Sequence, residues 1–343
     1  MLADSSDAID GSWRIMAGKF RRYHGLGKRL YVRHPSIMLK NFRDLFYFII
    51  GFVQSVWLLI WWRPNVLFVK GGFVGLPVGL AAALLRVPIV THDSDTVPGL
   101  TNRILSRYAR FSAVAMPAEY YTYPKNKIRY TGLPIGPEYQ PVTPQERATT
   151  RKQLGIPESA FVVAIFGGSL GAVRVNDAIM HIVAQYLAAD DSRWLLHQTG
   201  SHQYQAVEDF YKGLEPKLQN RVRAWAYVDA MHEVTAVADI VISRAGSTIH
   251  QLSAQQKPVI LIPNPVLTGG HQTVNAKVLA ERGAAIVITE QELKQTDDTV
   301  LLTTLNSLTQ NPEKRLSIAT AISSLAVPNA AKHIVSALDE AAA

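Results

Sequence analysis

Two glycine turns, one in each half of the chain, constrain the architecture more than anything else in the sequence. The first is Val69-Lys70-Gly71-Gly72-Phe73-Val74-Gly75, and the second is Ile165-Phe166-Gly167-Gly168-Ser169-Leu170-Gly171-Ala172. Each follows an apolar run with strand character and opens an amphipathic run with helix character. A turn of this kind leaves backbone N–H groups at a helix N-terminus, where a phosphate can be held. Two of them suggest two phosphate-bearing partners and two domains, hence an enzyme acting across a cleft.

The rhythm around both turns is that of alternating β and α elements. In the first half, short apolar strands are predicted at 66–69, 88–91, 112–116 and 127–130, with helices at 76–85 and 100–109. In the second half, strands are predicted at 161–166, 194–198, 222–227, 240–243, 259–262 and 285–288. Helices fall between them at 176–187, 204–213, 231–238, 248–255 and 273–282. Such alternation implies parallel sheets covered on both faces. Ligands of these sheets bind at the carboxyl ends of the strands. The proline-bearing stretch after Pro134, with Pro137, Pro141 and Pro144, reads as an interdomain linker. The expected organisation is an N-terminal domain over 1–136, a linker over 137–150, a C-terminal domain over 151–326 and a last helix over 327–343.

The chain has 343 residues, enough for two cores, and its 48% hydrophobic and 18% charged content is that of a folded protein. It has no cysteine, which excludes disulfides and cysteine-ligated zinc. The net charge of +8 points to an anionic partner: nucleic acid, an acidic membrane or a phosphorylated substrate. The charge is concentrated. Arg14, Lys19, Arg21, Arg22, Lys28, Arg29, Arg33, Lys40 and Arg43 occur with no acid among them. No base-reading side chains accompany them, so nucleic acid is not expected as a partner. A strongly apolar run follows at 45–62. Three readings stand for it: a buried core helix, a helix with one face in a membrane interface, and a spanning helix, the last disfavoured because the βαβ pattern resumes at Pro64.

Chemistry-bearing residues collect at strand ends. Gly167 and Gly168 allow close backbone approach to a diphosphate, and Ser169 adds a hydroxyl. Arg244, in Ser243-Arg244-Ala245-Gly246-Ser247-Thr248, could neutralise a leaving diphosphate or pair with a structural carboxylate. His271, Gln272 and Asn275 share one helix turn, where amides could read sugar hydroxyls or cap the helix. His92-Asp93-Ser94-Asp95 offers a general base, with turn formation as the alternative. No metal cluster and no resident cofactor are expected.

These motifs, taken in order, resemble the MurG family of lipid-linked N-acetylglucosaminyltransferases. The resemblance rests on GGFVGLP, HDSDTVPGLTNR, GGSLGA with Asn176, HQTG, YVDAM, ISRAGSTI and HQTVNAKVLAERGAA. It implies an α/β fold of two Rossmann-like parallel-sheet domains facing a cleft, the GT-B type, with the N-terminal domain incomplete. It implies transfer of N-acetylglucosamine from its UDP donor to the lipid-linked N-acetylmuramyl-(pentapeptide) precursor of peptidoglycan, with inversion. The alternative is a truncated or split homologue that binds nucleotide sugar or membrane without catalysis of its own. By this resemblance Gly167, Gly168 and Ser169 lie at the donor diphosphate. Val228 meets the uracil through its backbone. Arg244, Gly246, Ser247 and Thr248 line the nucleotide pocket. Gln251 replaces the usual ribose-binding glutamate. Gln272 reads the sugar, supported by Asn275. Gly71 and Gly72 hold the diphosphate of the undecaprenyl-linked acceptor. Asp95 is the expected catalytic base, with Arg244 assisting the leaving group. The basic and apolar region matches the family's association with the anionic cytoplasmic face of the bacterial membrane, which favours the interfacial reading of 45–62. The family's opening strand, G-x-G-G-H loop and helix have no counterpart here, so a complementing N-terminal polypeptide or a longer start is expected.

Overall fold

The computed structural model describes residues 10–18, 35–168, 170–266 and 268–343. The chain folds as two compact units. The first comprises the described residues up to Asp93 together with Pro98–Tyr130 and Lys332–Ala343. The second comprises Ser94–Val97 and Thr131–Ala331.

The first unit holds a parallel sheet of four strands, β1 (Leu67–Val69), β2 (Ile89–Asp93), β3 (Phe111–Val114) and β4 (Ile128–Tyr130), which lie side by side in chain order. The inner strands β2 and β3 are buried along their whole length, as a parallel sheet covered on both faces requires. On one face Leu59, Val69, Leu76, Ile89 and Leu105 form the core under the helices Pro35–Trp62, Gly72–Leu84 and Leu100–Leu105. On the other, Ala341 and Leu338 of the helix Ala330–Ala342 pack on Val90, Phe111 and Ala113. Arg129 ties that helix down through Glu340 (2.7 Å).

The apolar run after the basic stretch belongs to one helix, Pro35–Trp62, of 28 residues. The core-helix reading of it is wrong. Its buried stripe is Asp44, Gly51, Ser55 and Leu59, while Leu39, Phe42, Phe46, Ile49, Val53, Trp57 and Trp61 are exposed. Three- and four-residue spacing puts these exposed side chains on one face. An extended segment lies against the helix: Met16 N–H donates to Gln54 Oε1 (2.9 Å), and the Trp13 ring meets Trp61 and Trp62.

The second unit holds six parallel strands: β5 (Phe161–Phe166), β6 (Arg193–Gln198), β7 (Val222–Trp225), β8 (Ile240–Ser243), β9 (Val259–Leu261) and β10 (Ile286–Val287). Their order across the sheet is β10-β9-β8-β5-β6-β7. The chain runs outward from β5 to β7 and then returns to β8 on the other side of β5. Ile165, Ile179, Tyr186, Leu195, Ile242, Leu301 and Leu305 form the main core. The stretch read as a linker becomes helical at Pro144. A capping box between Thr143 and Glu146 starts the helix Pro144–Gln153. Arg147 and Arg151 of that helix grip Asp239 (2.6 and 3.2 Å), which also accepts from Val162 N–H (2.8 Å).

Candidate functional site

Strand order locates the site before any side chain does. In open parallel sheets a crevice opens where the winding reverses, at the carboxyl ends of the two strands involved. Here those strands are β5 and β8, paired so that Phe166 stands opposite Ser243. The next residues are Gly167 and Arg244. Two of the groups singled out in the sequence therefore leave the sheet side by side at its switch point.

The glycine turn is built from left-handed backbone. Gly168 has φ +88° and Gly171 φ +84°, and Gly171 N–H donates to Gly168 O (3.0 Å). A Cβ on Gly171 would come within 2.3 Å of the Thr199 carbonyl oxygen, whereas one on Gly168 would meet nothing within 4 Å. The turn delivers the chain to the helix Val173–Ala188, whose N-cap, Ala172, has no side-chain acceptor. The first turn therefore has no side-chain cap at its N–H groups, of which Val175 N–H turns back to Ala172 O (2.9 Å). Ser169 lies outside the described residues.

Behind the turn stands a buried polar network that the sequence motifs contained without disclosing its purpose. Asn176 donates through Nδ2 to Thr199 O (2.8 Å) and to Gln203 Oε1 (2.7 Å). Its Oδ1 must then be an acceptor, so His197 Nε2, 3.0 Å away, carries the proton. His197 Nδ1 accepts from Tyr211 O–H (2.7 Å). Complete burial pushes the imidazole down to about 3, which keeps it neutral in this role. Beside it, Gln198 donates from Nε2 to Gly168 O (3.2 Å) and accepts at Oε1 from Val228 N–H (3.0 Å). The N–H of Val228 is thus already committed.

Arg244 takes the alternative course. Its Nη1 lies 2.7 Å from Glu290 Oε1 and donates to Ile262 O (2.9 Å). The guanidinium is partly neutralised by this carboxylate. Gly246, Ser247 and Thr248 follow it into the helix Thr248–Ala254, where Ser247 is the N-cap without a side-chain cap bond. Gln251, on that helix, is half-buried. Gln272 is buried; its Oε1 accepts from Asn264 N–H (2.9 Å), and its Nε2 would lie 3.5 Å from a Cβ on Gly246.

Asn275 is fully buried and braces a turn. Its Oδ1 accepts from Thr96 N–H (2.9 Å), and its Nδ2 donates to Asp95 Oδ1 (2.8 Å) and Ala245 O (3.0 Å). Both amide donors are spent on protein, so its support of Gln272 is indirect. It fixes Asp95, which is half-buried. The neighbouring acid Asp93 is structural, accepting from Asn102 Nδ2 (2.9 Å) and Tyr123 O–H (2.8 Å). Burial and the Asp93 charge push the Tyr123 phenol upward.

In the first unit, Gly71 (φ +102°) and Gly72 (φ +80°) open the helix Gly72–Leu84 at the carboxyl end of β1. Thr101 Oγ1 donates to Gly72 O (2.7 Å), and the Asn102 amide lies 3.6 Å from where a Gly71 Cβ would sit. Among the described residues, no three His, Asp or Glu side chains are placed to hold a metal.

Residues 22–114 match the N-terminal domain of glycosyltransferase family 28, and residues 162–334 match its C-terminal domain. Over 296 residues the chain is 36% identical to the UDP-N-acetylglucosamine–N-acetylmuramyl-(pentapeptide) pyrophosphoryl-undecaprenol N-acetylglucosamine transferase of Desulforudis audaxviator, covering 85% of this chain and 78% of that one. The chain belongs to the MurG branch of glycosyltransferase family 28. The protein of the same name from Listeria welshimeri is 34% identical over 304 residues, covering 88% of this chain and 81% of its own. Among solved structures, Acinetobacter baumannii MurG superposes with a TM-score of 0.68 at 26% identity, over 87% of this chain and 79% of that one. The UDP-GlcNAc 2-epimerase of Neisseria meningitidis, solved with UDP-GlcNAc, has a TM-score of 0.59 at 13% identity over 84% of this chain and 80% of its own; it shares the fold. The chain is a glycosyltransferase, and its two parallel-sheet α/β domains are of the GT-B type.

Proposed function

We propose that this chain transfers N-acetylglucosamine from UDP-N-acetylglucosamine to the sugar 4-hydroxyl of an undecaprenyl-diphosphate-linked N-acetylmuramyl-(pentapeptide). This is the lipid I to lipid II step of peptidoglycan synthesis, and it is the activity for which the Desulforudis and Listeria relatives are named. One observation carries the reading on this chain: the pairing of Phe166 with Ser243, which brings the glycine turn and the Arg244–Thr248 loop to one crevice. The donor diphosphate sits on the turn and on the N-terminus of the helix Val173–Ala188. Val228 meets the uracil through its carbonyl, Gln251 the ribose, and Gln272 the sugar. Charge developing on UDP as it leaves is stabilised by fixed main-chain N–H groups, with Arg244 as a secondary contribution tempered by Glu290. Asp95, held by Asn275, takes the proton from the attacking hydroxyl. The turn at Gly71 and Gly72 holds the acceptor diphosphate. No resident metal or cofactor enters these steps.

The exposed ridge of the helix Pro35–Trp62, preceded by a basic segment, rests on the cytoplasmic face of an anionic membrane. Residues 39–62 are long and apolar enough to cross a bilayer. An interfacial position is favoured because the opposite stripe is already packed on the protein. A complementing segment is also proposed. The outer edge of β1 has no neighbouring strand among the described residues, and Phe68 on it is 38% exposed. Because crossovers are right-handed and the helix before β1 lies on the same face as the helix after it, a preceding strand belongs beyond that edge.

The deciding experiment is transfer of labelled N-acetylglucosamine to a lipid-diphosphate acceptor by the purified chain. Asp95→Asn should lower kcat at least 100-fold with little change in donor KM. UDP binding without transfer, even with an added N-terminal segment, would establish the binding-only alternative.

A further inference from the structure

Gln198 is the last residue of β6 and is buried. Its single amide reaches two loops: Nε2 donates to Gly168 O (3.2 Å), and Oε1 accepts from Val228 N–H (3.0 Å). One loop leaves β5 and the other follows β7, and β6 lies between these strands. A side-chain amide donates to one main chain and accepts from another through one small planar group and carries no charge at any pH in the working range. An ionised glutamate could accept from Val228 but would repel the Gly168 carbonyl. A leucine could do neither.

We infer that Gln198 is a positioning residue that fixes the separation of the diphosphate turn from the uracil loop, so that both ends of the nucleotide are gripped at once. This rests on the reading of the crevice as the donor site. Without the brace, each loop is ordered only at the expense of donor binding. Gln198 reaches neither the acceptor nor the reacting atoms in this scheme. Its loss therefore falls on donor affinity and spares the lipid substrate.

The test uses the full chain, with UDP as the probe in calorimetry. Gln198→Leu should weaken UDP about tenfold, as expected for the loss of buried hydrogen bonds. Donor KM should rise in parallel, with acceptor KM within twofold of the parent. Gln198→Glu supplies a readout that a merely structural role would not move. It should bind UDP poorly at pH 8 and recover, relative to the parent, as the pH falls to 5. A protonated carboxyl both donates and accepts, and so restores both contacts. Parent-like UDP affinity in Gln198→Leu, or no pH recovery in Gln198→Glu, would overturn the brace. Failure of the parent itself to bind UDP would instead overturn the donor-site reading.

Discussion

Arg244 and Glu290 form an ion pair, with Nη1 and Oε1 2.7 Å apart and both side chains largely shielded from water. Removing one member of such a pair leaves the other buried and uncompensated. Arg244→Ala should therefore lower stability by about 1–3 kcal/mol as well as weakening UDP. Glu290→Gln should do the opposite to affinity, since it releases positive charge beside the crevice: UDP binding should hold or tighten severalfold. Calorimetry on both variants, with melting curves, checks this. Equal loss of UDP affinity in the two would reduce the pair to a structural role.

Gly168 and Gly171 share a backbone sign but not a neighbourhood. Gly168→Ala meets open space and carries only the left-handed penalty, about 1–2 kcal/mol. Gly171→Ala also drives a methyl group into the Thr199 carbonyl. It should displace the turn, abolish donor binding and lower Tm further than Gly168→Ala. Equal melting and binding losses would refute this account of the turn.

His197 makes stability depend on pH in a defined direction. Its folded-state value of about 3 lies below the ordinary 6.5, so between these limits the unfolded chain binds a proton that the native state excludes. Stability from this group is full above pH 6.5 and falls by about 1.4 kcal/mol per pH unit as the solution is acidified toward 3. His197→Gln should flatten the slope by one proton. Urea titrations at pH 6.5, 5.5 and 4.5 measure it; an unchanged slope would show that the imidazole is not the group responsible.

Membrane attachment should be electrostatic in part. Co-sedimentation with vesicles containing anionic lipid should exceed that with neutral vesicles and weaken with salt, because a Debye length shortens from about 10 Å at 0.1 M to about 3 Å at 1 M. Binding indifferent to salt and released only by detergent would mean that the helix Pro35–Trp62 spans the bilayer.

Much of the fold is legible in the sequence, and the exceptions have physical causes. The strands at 161–166 and 240–243 stand where alternation puts them, because buried parallel strands leave an unbroken apolar run between turn residues. The helix Thr299–Gln310 is absent from the sequence reading although Leu301, Leu305 and Leu308 repeat at helical spacing. Its start follows Asp297 and Asp298, both in left-handed backbone, with no side-chain cap to mark it. The helix Pro35–Trp62 is ambiguous in sequence because hydropathy cannot separate burial in protein from exposure to lipid. Here the polar Asp44 and Ser55 face inward while Phe42 and Trp57 face outward. At the site, residue types at strand ends are readable, but their pairings are not. The bonds from Asn275 to Asp95, 180 positions away, and from Arg244 to Glu290 are choices that only the fold makes.

The indoles that crowd the helix Pro35–Trp62 also give the protein a built-in optical reporter. Of its six tryptophans, Trp13, Trp57, Trp61 and Trp62 cluster there and are 42–68% exposed, while Trp194 is buried. Four of the six indoles therefore report on the surroundings of this one helix. Their emission shifts to the blue when that ridge leaves water, without any label having to be attached.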